Sequence, residues 1–148
     1  MPMDALLLDT DVFSYLNKPG DTRGDLYRPL IKGKTIALSF ITIGELYFWT
    51  VKRKWSARRI AEMERRIKAA VIVPYDMELC KEFGRVKASL DSGRVIPSND
   101  LWIATRAIRH SIPLATHNYK HFDGIPRLRI MTEANRPVPP KTGDLFSG

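Results

Sequence analysis

The feature that most constrains this chain is an alternation of two kinds of segment. Short apolar runs, too brief to make a helix, are each followed by a longer stretch with apolar residues at helical spacing. The first run is Ala5-Leu6-Leu7-Leu8, and further strands are expected at 35–38, 71–73, 113–116 and 128–131. Helices are expected at 11–16, 42–55, 57–70, 77–90 and 99–110, with a polar-apolar segment at 21–31 and a short turn or helix at 118–122. Polar residues and breakers mark the joints. Asp11, Ser56 and Ser98 read as N-caps, while Pro19-Gly20, Pro74 and Gly93 stop what precedes them. Strands alternating with helices imply parallel pairing through right-handed crossovers. The expected fold is therefore α/β, a three-layer α/β/α sandwich around a mostly parallel central sheet, and in such sheets sites form beyond the carboxyl ends of the strands.

With 148 residues, 44% of them apolar, the chain suits one core and one site. A single domain is expected over 1–135, followed by a Pro-rich tail over 136–148. The lone cysteine, Cys80, excludes an internal disulfide and a cysteine-rich zinc site; it fits a cytoplasmic setting and lies at a spacing that suggests core packing. No signal peptide and no long apolar stretch is legible, so no membrane association is expected. The net charge of +8 makes nucleic acid the leading partner class, since phosphates release counterions to Lys and Arg.

Acids recur where apolar runs end or helices begin: Asp9 after Leu6-Leu7-Leu8, Glu45 after Ser39-Phe40-Ile41-Thr42, and Asp100 after Ser98-Asn99. Asp100 and Glu45 could each serve only a helix dipole. Asp9 directly follows a buried strand and has no such duty in this reading. Carboxylates gathered at one sheet edge repel one another, and an all-oxygen set without Cys or His at metal spacing points to Mg²⁺ or Mn²⁺. Such ions activate water and stabilise charge on a phosphodiester.

These residues carry a resemblance to a known family. Leu7-Leu8-Asp9-Thr10-Asp11-Val12-Phe13, Ile41-Thr42 with Glu45-Leu46, Asn99-Asp100-Leu101-Trp102-Ile103-Ala104, and Leu114-Ala115-Thr116-His117-Asn118 with His121-Phe122 occur in the order found in PIN-domain nucleases. Within that family the chain resembles the VapC-type toxins of prokaryotic toxin–antitoxin pairs, from Leu6 to about Met131. The resemblance implies a metal-dependent endoribonuclease with Asp9, Glu45 and Asp100 as metal-site acids and Asn118 as a fourth, neutral member. Thr10 and Thr116 would be supporting hydroxyls. Asp11 stands where many members have Asn, and is read as a supporting residue that caps its helix. An RNA substrate, a small antitoxin offering an Arg to the carboxylates, and a homodimer are further implications.

Other readings compete. Asp9-Thr10-Asp11 after a strand also fits the opening of haloacid-dehalogenase phosphatases, with Asp9 as nucleophile, although Phe13 replaces the expected small hydroxyl residue. A non-toxin RNA-processing nuclease and a catalytically silent PIN-like module are the remaining alternatives. Lys52, Arg53, Lys54, Arg58 and Arg59 form a basic stretch suited to RNA, or to a solvated helix face. Trp49 and Trp55, which flank it, are expected to pack in the core or an interface. His110, His117 and His121 pair with no other ligand at close helical spacing; His121-Phe122 reads as a turn packed onto the sheet.

Overall fold

The computed structural model describes residues 1–134, so the expected Pro-rich tail lies outside the described residues. Five strands form one sheet: β1 (Ala5–Leu8), β2 (Thr35–Ser39), β3 (Val71–Val73), β4 (Leu114–Ala115) and β5 (Ile130–Met131). Their order is β3-β2-β1-β4-β5 and every neighbouring pair is parallel. The register sets Leu7 between Ala37 and Leu114, with Val71 beside Ala37 at one side and Ile130 beside Leu114 at the other.

Strand β1 lacks any polar alternation because it is the central strand and both its faces are covered. Its side chains divide by parity. Leu6 and Leu8 enter a core with Val12, Phe13, Leu16, Tyr27, Leu38, Leu46, Met63 and Ile67. Those residues come from α1 (Thr10–Asn17), α2 (Arg23–Ile31), β2, α3 (Phe40–Lys52) and α4 (Ala57–Ala69). Ala5 and Leu7 enter the opposite core with Val86, Leu101, Ile103, Ala104, Leu114 and Phe122, from β4, α5 (Met77–Ser89), α6 (Ser98–Arg109) and α7 (Tyr119–Phe122). Each fully buried Leu contributes roughly 1.5–3 kcal/mol, so β1 anchors both layers of the sandwich.

Several boundaries differ from the sequence reading, each for a local reason. Helix α1 begins at Thr10, not at Asp11, because Asp9 itself occupies the N-cap and its carboxylate accepts from the Thr10 N–H at 2.8 Å. Asp11 is therefore not the cap. Helix α3 starts at Phe40, because the Ser39 hydroxyl accepts from the Ile41 N–H and turns the chain directly out of β2. Glu45 consequently stands in the second turn, beyond the reach of the dipole argument. Ser98 is the first helical residue of α6, and Pro97 takes the cap position without a side-chain bond. Cys80 is only half-buried, with its sulfur 2.7 Å from the Tyr75 hydroxyl.

The chain leaves β1 for β2 and β3 on one side, then returns to place β4 and β5 on the other. The reversal falls between β1 and β4, so a crevice opens beyond their carboxyl ends, where Asp9 and Thr116 emerge.

Candidate active site

Asp9 is 6% exposed, with both carboxylate oxygens engaged. Oδ1 accepts from the Thr10 N–H and Oδ2 from the Thr116 hydroxyl at 2.7 Å. Thr116 Oγ1 in turn accepts from the Asn118 N–H at 3.1 Å. The end of β4 thereby fixes the end of β1. Burial pushes the Asp9 carboxyl up to about 7, and repulsion from Asp11 and then Asp100 adds to it against the two hydrogen bonds.

Asp11 lies on the first turn of α1, where Oδ1 accepts from the Val12 N–H at 2.6 Å and Oδ2 from the His117 N–H at 3.2 Å. Burial raises its carboxyl too, the two N–H bonds and His117 oppose this, and Asp100 raises it further. Behind it, the buried Tyr27 hydroxyl accepts from the Glu133 N–H and is hydrogen-bonded to His117 Nδ1 at 2.6 Å. Tyr15 and Tyr27 both meet the His117 ring edge-on. His117 is thus a wall that positions Asp11.

Glu45 approaches from α3. Its Oε1 accepts from the Thr10 hydroxyl at 2.9 Å, and Thr10 is also 3.0 Å from the Thr42 hydroxyl. Burial raises the Glu45 carboxyl; the Thr10 bond opposes it, and Asp100 and Asp11 add repulsion. Asp100, on the first turn of α6, completes the cluster. His121 Nδ1 lies 2.9 Å from its Oδ2 and 2.8 Å from the side-chain amide of Asn118. A carboxylate only accepts, so the bond to Asp100 places the proton on Nδ1, and the Asn118 Nδ2 beside it is a polar contact and not a second hydrogen bond.

The structure therefore brings Asp9, Asp11, Glu45 and Asp100 into one electrostatic neighbourhood, with Thr10, Thr116 and Asn118 bonded around them. Two participants escaped the sequence reading. His121 sits on the single turn of α7, where no helical spacing signals its approach to Asp100. Thr42 had a signal, since it stands in the same Ile-Thr fragment that leads to Glu45. Of the basic stretch, Arg53 and Arg59 line a cavity that Asp11 also lines. Arg58, by contrast, projects outward and lies 3.5 Å from Glu62. Lys52 and Lys54 are exposed. Trp49 and Trp55 pack partly against the core, with Arg53 and Arg59 stacked over their rings.

As placed, no three His, Cys, Asp or Glu side chains among the described residues converge into a metal cage. The chemistry of the set nonetheless fits a hard cation. Four acids supply only oxygen donors, and burial, with mutual repulsion added to it, raises three of them, which is a site short of positive charge.

Comparison with known proteins agrees with this arrangement. The PIN domain family model matches residues 6–128. A "Ribonuclease VapC2" of Rickettsia felis is 31% identical over 124 residues, spanning 82% of this chain and 92% of that protein. Among solved structures, VapBC2 from Rickettsia felis bound to a DNA fragment from its promoter has a TM-score of 0.75 at 27% identity, covering 86% of this chain and 98% of that one. VapBC-5 from Mycobacterium tuberculosis, described as a member of the VapBC family of toxin-antitoxin systems, has a TM-score of 0.65 at 26% identity, covering 87% and 98%. The chain belongs to the PIN-domain family and, within it, to the VapC ribonucleases. This family frame displaces the phosphatase reading, and a buried Asp9 with both oxygens bonded is poorly disposed to act as a nucleophile.

Proposed function

We propose that the protein is a Mg²⁺- or Mn²⁺-dependent endoribonuclease that hydrolyses RNA phosphodiester bonds, and that it acts as the toxin of a toxin–antitoxin pair. The observation that supports the metal dependence is the gathering of Asp11, Glu45 and Asp100 around the buried Asp9 carboxylate in an all-oxygen cluster. Asp9, Asp100 and Glu45 would hold the cation, and Asn118 adds a neutral oxygen beside them. A bound divalent cation supplies charge that makes an attacking water acidic and stabilises the phosphoryl transition state. Thr10 and Thr116 keep Glu45 and Asp9 in place, and His121 orients Asp100. Asp11 holds the His117 backbone and adds negative charge at the rim.

Internal cleavage fits the shape of the site. An apolar cleft of about 490 Å³ opens beside Glu45 and Asn99, and a basic cavity of about 260 Å³ opens beside Asp11. Glu45 borders the first, Asp11 the second, and Trp49 lines both, so a strand running from one to the other would pass the carboxylates without having to end there. The apolar cleft, with Phe40, Phe48 and Trp49 on its walls, suits an apolar segment of a small antitoxin whose Arg reaches the carboxylates and replaces the cation's charge. A homodimer fits the exposed Ile72, Tyr75 and Met77 beside the edge strand β3. No helix among the described residues is long and apolar enough to cross a membrane. Cytoplasmic RNA is the proposed target.

The deciding experiment uses purified protein and single-stranded RNA. Cleavage with Mg²⁺ or Mn²⁺ that stops on chelation and in Asp9→Asn is the expected result; equal cleavage by the variant would reject the assignment. Expression of the wild type should arrest growth and that of the variant should not, which separates a toxin from an RNA-processing enzyme.

A further inference from the structure

The cavity beside Asp11 has a composition that the carboxylate chemistry does not require. Lys18 just past α1, Arg23 from the start of α2, Arg53 just past α3 and Arg59 from α4 all border it, against the carboxylates of Asp11 and Asp21. Four separate segments each deliver a cation to one concavity. Arg23 satisfies Asp21 through a bond of 2.7 Å, but Lys18, Arg53 and Arg59 form no salt bridge among the described residues. The Arg59 Nε is buried without a hydrogen-bond partner. Asp11 and Asp21 offset only two of the four positive charges, and gathering the excess in one place costs stability unless a further anion joins it.

The guanidinium groups are also pre-arranged. Arg23 lies over the Tyr15 ring at 4.0 Å, Arg53 over Trp49 at 4.7 Å, and Arg59 over Trp55 at 3.8 Å. Stacking on a ring restricts the long side chain and leaves the edge of the planar fork free for an oxyanion. Tyr15 and Trp49 line the same cavity, so an aromatic surface stands next to the forks. At about 260 Å³ the space is smaller than the ~300 Å³ at which drug-sized clefts begin, which suits one segment of a polymer.

Resting on the nuclease reading above, we propose that this cavity is a subsite for the RNA backbone next to the scissile bond. Arg53 and Arg59 clamp the neighbouring phosphate, and Lys18 and Arg23 reinforce the field. Asp11 is the shared wall: it borders the cavity and interacts with Asp9 and Asp100. A strand whose scissile phosphate lies at the carboxylates therefore passes its next phosphate to the cations. Since phosphates carry no sequence information, the subsite sets affinity and register and leaves base choice to other contacts.

Binding can be read without cleavage by working in the Asp9→Asn background with a fluorescent single-stranded RNA oligonucleotide. Adding Arg53→Ala and Arg59→Ala together should weaken RNA binding about tenfold and make the salt slope shallower by about 0.7, the signature of one lost phosphate contact on a single strand. The Lys32→Ala and Lys34→Ala pair removes the same charge from the exposed approach to the amino end of β2, away from the carboxyl ends of the strands where the acids lie, and should change binding by less than about threefold. Unfolding midpoints of both double variants, measured alongside, establish that each is folded, and Arg53→Lys with Arg59→Lys should recover only part of the affinity if the forks matter. RNA affinity and salt slope equal to the parent's in the folded Arg-to-Ala double variant, or equal losses in the two double variants, overturn the subsite. The nuclease reading is judged separately, by cleavage in the wild type.

Discussion

Replacing Asp9 with Asn should stabilise the metal-free protein at alkaline pH while gaining nothing in acid. The reason lies in where the carboxyl ionises. In the unfolded chain Asp9 loses its proton near 3.8, but in the folded protein burial and the neighbouring acids hold the proton until about 7. Below 3.8 both states are protonated and the group is silent. Between 3.8 and about 7 the unfolded state binds fewer protons than the folded one, so stability falls as pH rises; above 7 both are ionised and the loss is complete. At about 1.4 kcal/mol per pH unit the full penalty is roughly 4 kcal/mol. Asn keeps an oxygen for the Thr10 N–H and turns an NH₂ toward Thr116, whose hydroxyl must reverse to accept, at a cost of about 1 kcal/mol.

The net expectation at pH 8 is a gain of about 2–3 kcal/mol, or roughly 5–10 °C for a domain of this size. At pH 4 the variant should match the wild type or fall about 1 kcal/mol below it. Thermal and urea unfolding followed by circular dichroism, with a chelator present throughout, measures both. Millimolar Mg²⁺ at pH 8 should then raise the wild-type midpoint by more than the variant's, because the variant has lost the most deeply buried of the four carboxylates and keeps only Asp11, Glu45 and Asp100 to bind the cation. A difference between the proteins that is the same at pH 4 and pH 8, or a variant less stable at both, would refute the account of a cluster short of cations.

Two further substitutions test the groups that hold the acids. His121→Ala removes the donor to Asp100 from a partly exposed position, so Mg²⁺ affinity by calorimetry should fall about 10- to 100-fold with little change in unfolding midpoint; unaltered affinity would assign His121 no positioning role. Thr116→Val deletes the donor to Asp9 and the acceptor for the Asn118 N–H, and should cost about 1–3 kcal/mol. Because the lost bond is one that lowers the Asp9 pKa, the acid limb of the RNA-cleavage pH profile should move to higher pH; a shift in the other direction contradicts the geometry.

What the sequence disclosed and what it hid divide along physical lines. Leu6, Leu7 and Leu8 announce a central strand because a strand covered on both faces needs no polar alternation, and neighbouring segments at helical spacing leave only a parallel sheet to cover it. The carboxyl ends of β1 and β4 follow from that topology, and with them the neighbourhood of Asp9 and Thr116. Capping was harder to read, because Asp9 and Asp11 are both good caps and only backbone geometry chooses between them. Asp9 has φ −68° and ψ 157°, the extended geometry that an N-cap requires, so it serves the helix and the site at once. A capping role and a functional role are therefore not alternatives at this position. The His121–Asp100 contact and the basic cavity were invisible for a different reason. Each is assembled from elements far apart in the chain, and their residues become neighbours only after the crossovers have closed. The contiguous basic run from Lys52 to Arg59 suggested a charged face, yet the fold sorts it: Arg53 and Arg59 turn toward Asp11, whereas Arg58 points away beside Glu62. Backbone phase decides which cations face the cavity, and Lys18 and Arg23, outside the run altogether, complete its lining.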